Sequence, residues 1–180
     1  VFAIGADQPG AIAWTGGAIA ALNALNLTSG GLPVTFTADA TGTILTGATT
    51  GGPVLVLTLT PAGTLSVQLA DQIDHADTPD NVETNYVLDL SALIAATDKD
   101  GDSINAPAGT ILVNIGDDKP VLVANPSAVL GVDEDALTGA NAADSDGAIS
   151  PVQLSNSIAL AGNVFAIGAD QPGAIAWTGG

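Results

Sequence analysis

Residues 53–60 read PVLVLTLT, a proline followed by valine, leucine and threonine alone. The run is short, apolar and rich in β-branched residues. It is closed on one side by TTGGP (49–53) and on the other by TPAG (60–63). Eight residues between glycine and proline clusters make a strand rather than a buried helix, which needs more length. Working outward, LPVTFTA (32–38) places Val34 and Phe36 on one face and Thr35 and Thr37 on the other. TLSVQLA (64–70) alternates Leu65, Val67 and Leu69 with Ser66 and Gln68, NYVLDLSALIA (85–95) alternates Tyr86, Leu88 and Leu90, and GTILVNIGD (109–117) carries Ile111, Val113 and Ile115. Side chains of period two belong to strands. The clusters between them, TSGG, ADATG, HADTPDN and DKDGDS, are turn chemistry. Many short strands at this spacing predict an all-β chain, an antiparallel β-sandwich. GAIAALNALNL (17–27) stands apart, with Ile19, Leu22 and Leu25 apolar. It suits one or two turns of helix, with a strand as the alternative.

The chain has 180 residues, 47% of them hydrophobic, which is enough for a substantial core and excludes a disordered acidic tail. Its 19 acids face two bases, Lys99 and Lys119, for a net charge of −17. Seventeen of the acids are Asp; the two others are Glu83 and Glu134. Such a chain has no electrostatic route to nucleic acid or to anionic lipid, and its natural small partners are cations. Without cysteine there is no disulfide, thiol nucleophile or zinc–thiolate site. No apolar run approaches the ~18 residues of a membrane helix, so no direct membrane insertion is expected.

One repeat is present. VFAIGADQPGAIAWTGG occupies residues 1–17 and again 164–180, offset by 163 positions. A period of a domain's length predicts a tandem array of near-identical units, seen here as one period plus 17 residues cut in mid-domain. The junction is read in IGDDKPVLVANPSAVLGVDEDAL (115–137), which holds Pro120 and Pro126 between acid groups. This gives residues 1–118 as the body of one unit lacking its opening strands, 119–132 as a linker and 133–180 as the opening of the next. The repeated phrase itself is expected to form strands around a buried Trp14, with Trp177 its counterpart.

Ten acids crowd between Asp98 and Asp146: Asp98, Asp100 and Asp102; Asp117 and Asp118; Asp133, Glu134 and Asp135; Asp144 and Asp146. Carboxylates so close repel one another unless neutralised, and a hard divalent cation taking six to eight oxygens is the usual remedy. DKDGDS (98–103) is not an EF-hand. Counted from Asp98, the sixth and twelfth places hold Ser103 and Gly109, where that loop needs glycine and glutamate. It is a D-x-D-G-D turn at a strand end, whose carboxylates can converge on one ion, and calcium is the expected cofactor. Asp133, Glu134, Asp135, Asp144 and Asp146 are further candidate ligands, and DSDG (144–147) is a weaker relative of the same turn. His75 is the sole histidine, read as a loop residue beside Asp74 and Asp77. No G-x-S-x-G elbow or phosphate-cradling loop with lysine occurs, and the chain is not expected to be an enzyme.

The order FAIGADQPG, LTSGGLPVTFT, GTILTGATTGGPVLVLTL, TLSVQLADQIDH, LDLSALIAATDKDGDS, ILVNIGDDKP and VDEDAL resembles the extender repeats of giant RTX-type adhesins and toxins of Gram-negative bacteria, exported by type I secretion. TDKDGDS and IGDDKP are its most specific phrases. The resemblance implies Ig-like or cadherin-like sandwiches, strung in tandem outside the cell and stiffened by calcium at their junctions. By that analogy Asp98, Asp100 and Asp102 meet Asp117 and Asp118, with Asp133 or Asp135 of the next unit. The partners implied are neighbouring identical repeats, in adhesion or biofilm cohesion. Two alternatives stand beside it: a carbohydrate- or ligand-binding sandwich acting through Trp14 or the loops, and a filament subunit completed by strand complementation between units.

Overall fold

The computed structural model describes residues 2–3, 9–75, 85–133, 137, 155–168 and 174–177. The chain divides into two compact units, Val1–Asp118 and Lys119–Gly180. In the first, β1 (Ala11–Trp14) leads into α1 (Ala18–Asn23). There follow β2 (Thr28–Ser29), β3 (Leu32–Pro33), β4 (Thr35–Ala38), β5 (Ile44–Thr49), β6 (Gly52–Leu59) and β7 (Leu65–Leu69). After these come β8 (Tyr86–Asp89), a 3-10 turn (Ser91–Leu93), β9 (Ile94–Thr97), β10 (Ser103–Asn105) and β11 (Leu112–Ile115). In the second unit, β12 (Val121–Leu122) pairs antiparallel with β13 (Phe165–Ala166).

The strands assemble as an antiparallel meander β4-β5-β6-β7, a three-stranded sheet β1-β9-β10 and a pair β8-β11. One core joins them. Phe36, Leu45, Val54, Leu55, Leu57 and Leu59 of the meander pack in the same cluster as Leu88, Leu90, Ile94 and Ile115. Each fully buried leucine or phenylalanine contributes about 1.5–3 kcal/mol relative to exposure. Sheets sharing one apolar layer in this way are a β-sandwich, as the alternation predicted.

The opening stretch is the centre of that core. In β6 both Val54 and Leu55 are wholly buried, so the strand is covered on both faces where it begins; Leu57 and Leu59 then continue one face. This is why its sequence is a continuous apolar run rather than a strict alternation. GAIAALNALNL resolves as helix over Ala18–Asn23, burying Ala18 and Leu22, while Leu25 lies past its end and is exposed.

Trp14 is half-buried against the core, and its indole N–H donates to the Thr43 carbonyl at 3.2 Å. Its β1 strand is held in place twice more, by Ile12 N–H to Pro61 O and by Thr15 N–H to Leu93 O. Gly63 leaves room for Ile12. A methyl group at Gly63 would lie 2.6 Å from Ile12 Cδ1.

Candidate functional site

The β9–β10 hairpin turns through Asp98-Lys99-Asp100-Gly101-Asp102. Asp98 organises it. Its Oδ1 accepts from the Gly101 N–H at 3.1 Å and the Asp102 N–H at 2.9 Å, while its own N–H donates to the Asp102 carbonyl at 3.0 Å. Gly101 has φ +100°, a conformation that side chains with a Cβ rarely adopt, so glycine is the residue the turn requires. At the neck of the turn Thr97 Oγ1 donates to Ser103 Oγ at 3.1 Å.

The loop places one carboxylate oxygen from each of Asp98, Asp100 and Asp102 within 4.8 Å of the others. Asp98 is half-buried and the other two are exposed. Asp98 is held below the usual carboxylate range, first by a hydrogen bond from Asp100. Asp100 is pushed above it, by that same hydrogen bond and then by the charge of Asp98. Two carboxylates this close each disfavour the other's negative charge. An open cleft runs beside the turn, lined by Ala3, Ala96, Thr97, Asp98, Asp102, Ser103 and Ile104.

The donor set fits a metal ion. Two oxygens bound to one calcium at about 2.3–2.6 Å stand no farther apart than about 5 Å, and the three carboxylates meet that condition without rearrangement of the backbone. They supply three of its oxygens, so the remainder would come from water or carbonyls.

Of the other predicted ligands, only Asp117 and Asp118 are described within the same unit as this turn. Asp117 is at the end of β11, where its Oδ1 is 3.4 Å from His75 Nδ1 and also accepts from the Asp118 N–H at 3.0 Å. Among the described residues, the trio of Asp98, Asp100 and Asp102 includes neither Asp117 nor Asp118. Asp133 falls in the second unit. Glu134, Asp135, Asp144 and Asp146 lie outside the described residues.

The sequence did not disclose what His75 does. Its side chain is only 7% exposed, and its Nε2 lies 3.3 Å from the Ile115 carbonyl. A carbonyl only accepts, so Nε2 carries a proton and the ring ties the chain after β7 to the end of β11. Nothing in the neighbourhood of either residue in the sequence signals that pairing.

Several remaining acids serve the backbone. Asp74 Oδ1 and Oδ2 accept from the N–H groups of Gly30 and Gly31, at 2.7 and 2.9 Å. Partial burial raises the Asp74 pKa, but those bonds and one with Thr28 outweigh it and leave the group below its ordinary value. Asp89 is lowered chiefly by the Ser91 hydroxyl.

Compared with protein-family models, with curated proteins and with solved structures, the chain matches none. Among the described residues, no helix is long and apolar enough to cross a membrane.

Proposed function

We propose that this chain is a structural repeat, an extender of a large bacterial surface adhesin or extracellular fibre, whose acidic turn takes up calcium. The observation that carries the reading is the Asp98–Asp102 turn, three convergent carboxylates on a hydrogen-bonded hairpin of an all-β unit. The 163-residue recurrence of an identical phrase supports the tandem part of it. Near-identical copies suit a spacer, because a spacer is selected for length and stiffness rather than for a varied binding surface. The Trp14 environment weighs against a sugar platform on that residue, since its ring packs on the core and its N–H is already used.

The mechanism is mass action. Where calcium is scarce, the close carboxylates of Asp98 and Asp100 repel one another and the turn is held by its own backbone bonds. At the ~10⁻⁴–10⁻³ M affinities of extracellular modules, calcium outside the cell neutralises that repulsion and stabilises the folded state. The shift in melting temperature is about 5 °C at a tenfold excess of ion over its dissociation constant.

The experiment is calcium titration of the 180-residue chain by calorimetry, with thermal melting and small-angle X-ray scattering in calcium and in EDTA. Saturable binding, a raised melting temperature and an unchanged or greater maximum dimension are expected. Identical melting curves and scattering in the two conditions would overturn the calcium role.

A further inference from the structure

The meander β4-β5-β6-β7 has two edges, and the chain treats them differently. On β4, the Phe36 N–H donates to Asn23 Oδ1 at 2.7 Å, Asn23 Nδ2 donates to the Phe36 carbonyl at 3.3 Å, and the Val34 N–H donates to the Leu27 carbonyl at 2.8 Å. Asn23 is the last residue of α1, so this edge is capped by the helix and the segment that follows it.

β7 has no such cover. At the two ends of the β6–β7 ladder, the Thr60 N–H donates to the Thr64 carbonyl at 3.0 Å and the Ala70 N–H to the Val54 carbonyl at 2.7 Å. Hydrogen-bonded pairs alternate along an antiparallel ladder. Ser66 and Gln68 therefore direct their backbone groups to Thr58 and Val56, and Leu65, Val67 and Leu69 direct theirs outward. No N–H or C=O of those three has a hydrogen-bond partner among the described residues. Their side chains share the face of Leu59, Leu57 and Leu55, which are buried, yet Val67 and Leu69 are 39% and 49% exposed. The apolar layer thus runs past the core to an open edge. Natural edges are blunted by lysine, proline, inward charges or bulges. LSVQL (65–69) has none of these.

We propose that β7 pairs with β7 of a second copy of this chain, antiparallel, about a two-fold axis at Val67. That symmetry sets Val67 opposite the second copy's Val67, Leu65 opposite its Leu69 and Ser66 opposite its Gln68. The outward groups of Leu65, Val67 and Leu69 are then all exchanged as hydrogen-bonded pairs. The three apolar side chains of each copy continue the layer of the other. Charge selects this occupant. Two chains of −17 repel, so they meet at least cost where neither carries an acid. β7 is uncharged, and the nearest acid in sequence, Asp71, falls opposite the second copy's Gly63. An uncharged strand likewise gives a basic partner nothing to recognise. The contact is isologous and the β4 edge is capped, so assembly stops at a dimer. The pairing rests on β7 and not on calcium, so its test is run in EDTA.

The first measurement is mass by light scattering across about a hundredfold range of concentration, in about 0.5 M sodium chloride, which shortens the reach of the repulsion to under about 10 Å. The wild-type chain rises from 17.5 kDa to twice that value and levels there. Val67→Lys sets two like charges against each other at the axis and stays at the monomer mass. Thr37→Lys, the same charge on an exposed position of β4, dimerises as the wild type does. The second measurement needs no variant. Amide hydrogen exchange at Leu65, Val67 and Leu69 slows about tenfold once about nine-tenths of the chain is dimeric, while Ser66 and Gln68, already bonded to β6, keep their rates. A monomer mass at every concentration, a mass that climbs past the dimer, a dimer that Val67→Lys leaves intact, or a dimer in which those three amides exchange as in the monomer would each overturn the proposal.

Discussion

At the scale of single residues, Ser91 shows how one buried hydroxyl sets a strand's course. It is fully buried, its Oγ donates to Asp89 Oδ1 at 2.5 Å, and it accepts from the N–H groups of Thr110 and Ile111 at 3.0 and 2.9 Å. Ser91→Ala removes the partner of the half-buried Ile111 N–H, while the exposed Thr110 N–H keeps the Pro107 carbonyl at 3.2 Å; the expected cost is about 1–3 kcal/mol, and denaturant unfolding of the variant measures it. Asp39 performs the same service at the surface. The Thr41 hydroxyl first, then the Ile44 N–H at 2.8 Å, lower its pKa from 3.8 to about 2. A lowered acid stabilises the fold above its ordinary value, and that contribution is lost as pH falls from 3.8 toward about 2. Thermal melting across this interval should therefore fall more steeply for the wild type than for Asp39→Asn. The sequence displays Asp98, Asp100 and Asp102 as a group because their geometry is local to one turn. The roles of His75, Asp117 and Asp74 were not legible, because each depends on partners that only the folded sheet brings near.

At the scale of elements, alternation marked where strands are but not how far each runs or what covers it. NYVLDLSALIA alternates as one strand, yet it is β8, a 3-10 turn and β9, because the Asp89–Ser91 bond bends the chain at the middle of the pattern. TLSVQLA does form a strand, β7. It is the end strand of its sheet, with Val67 and Leu69 39% and 49% exposed, so its periodicity reported pleating and not burial. A glycine inside a strand was the more informative signal. Gly47 of β5 lies opposite Phe36 of β4, and a Cβ there would come within 2.7 Å of the Phe36 ring and 3.0 Å of Val34. Gly47→Ala forces the ring from its place at a cost of about 1–3 kcal/mol. Combining it with Phe36→Leu should cost less than the sum of the two single changes, a non-additivity that a double-mutant cycle reads directly.

At the scale of the whole molecule, a net charge of −17 and a local carboxylate trio make separable claims on the surrounding ions. The overall field is diffuse. Any salt weakens it by screening, over a Debye length of about 10 Å at 0.1 M, and the identity of the cation matters little. The Asp98–Asp102 turn is different. Under the proposed function it takes calcium, which accepts irregular oxygen geometry, whereas magnesium demands a near-ideal octahedron and holds its water. Melting in sodium, magnesium and calcium chlorides at matched ionic strength should therefore show a common rise in all three and an additional rise in calcium alone. Asp100→Asn should keep the common rise and lose the additional one. The opposite pKa shifts of Asp98 and Asp100 give a second handle on the same site. Because Asp100 is raised above the ordinary carboxylate value, calcium bound as proposed would compete there with protons. Calcium affinity should climb as pH increases through that range and level off once Asp100 is ionised, measured by titration calorimetry at a series of pH values. An affinity flat across that range, or an additional rise that survives Asp100→Asn, would place the binding of calcium somewhere other than this turn.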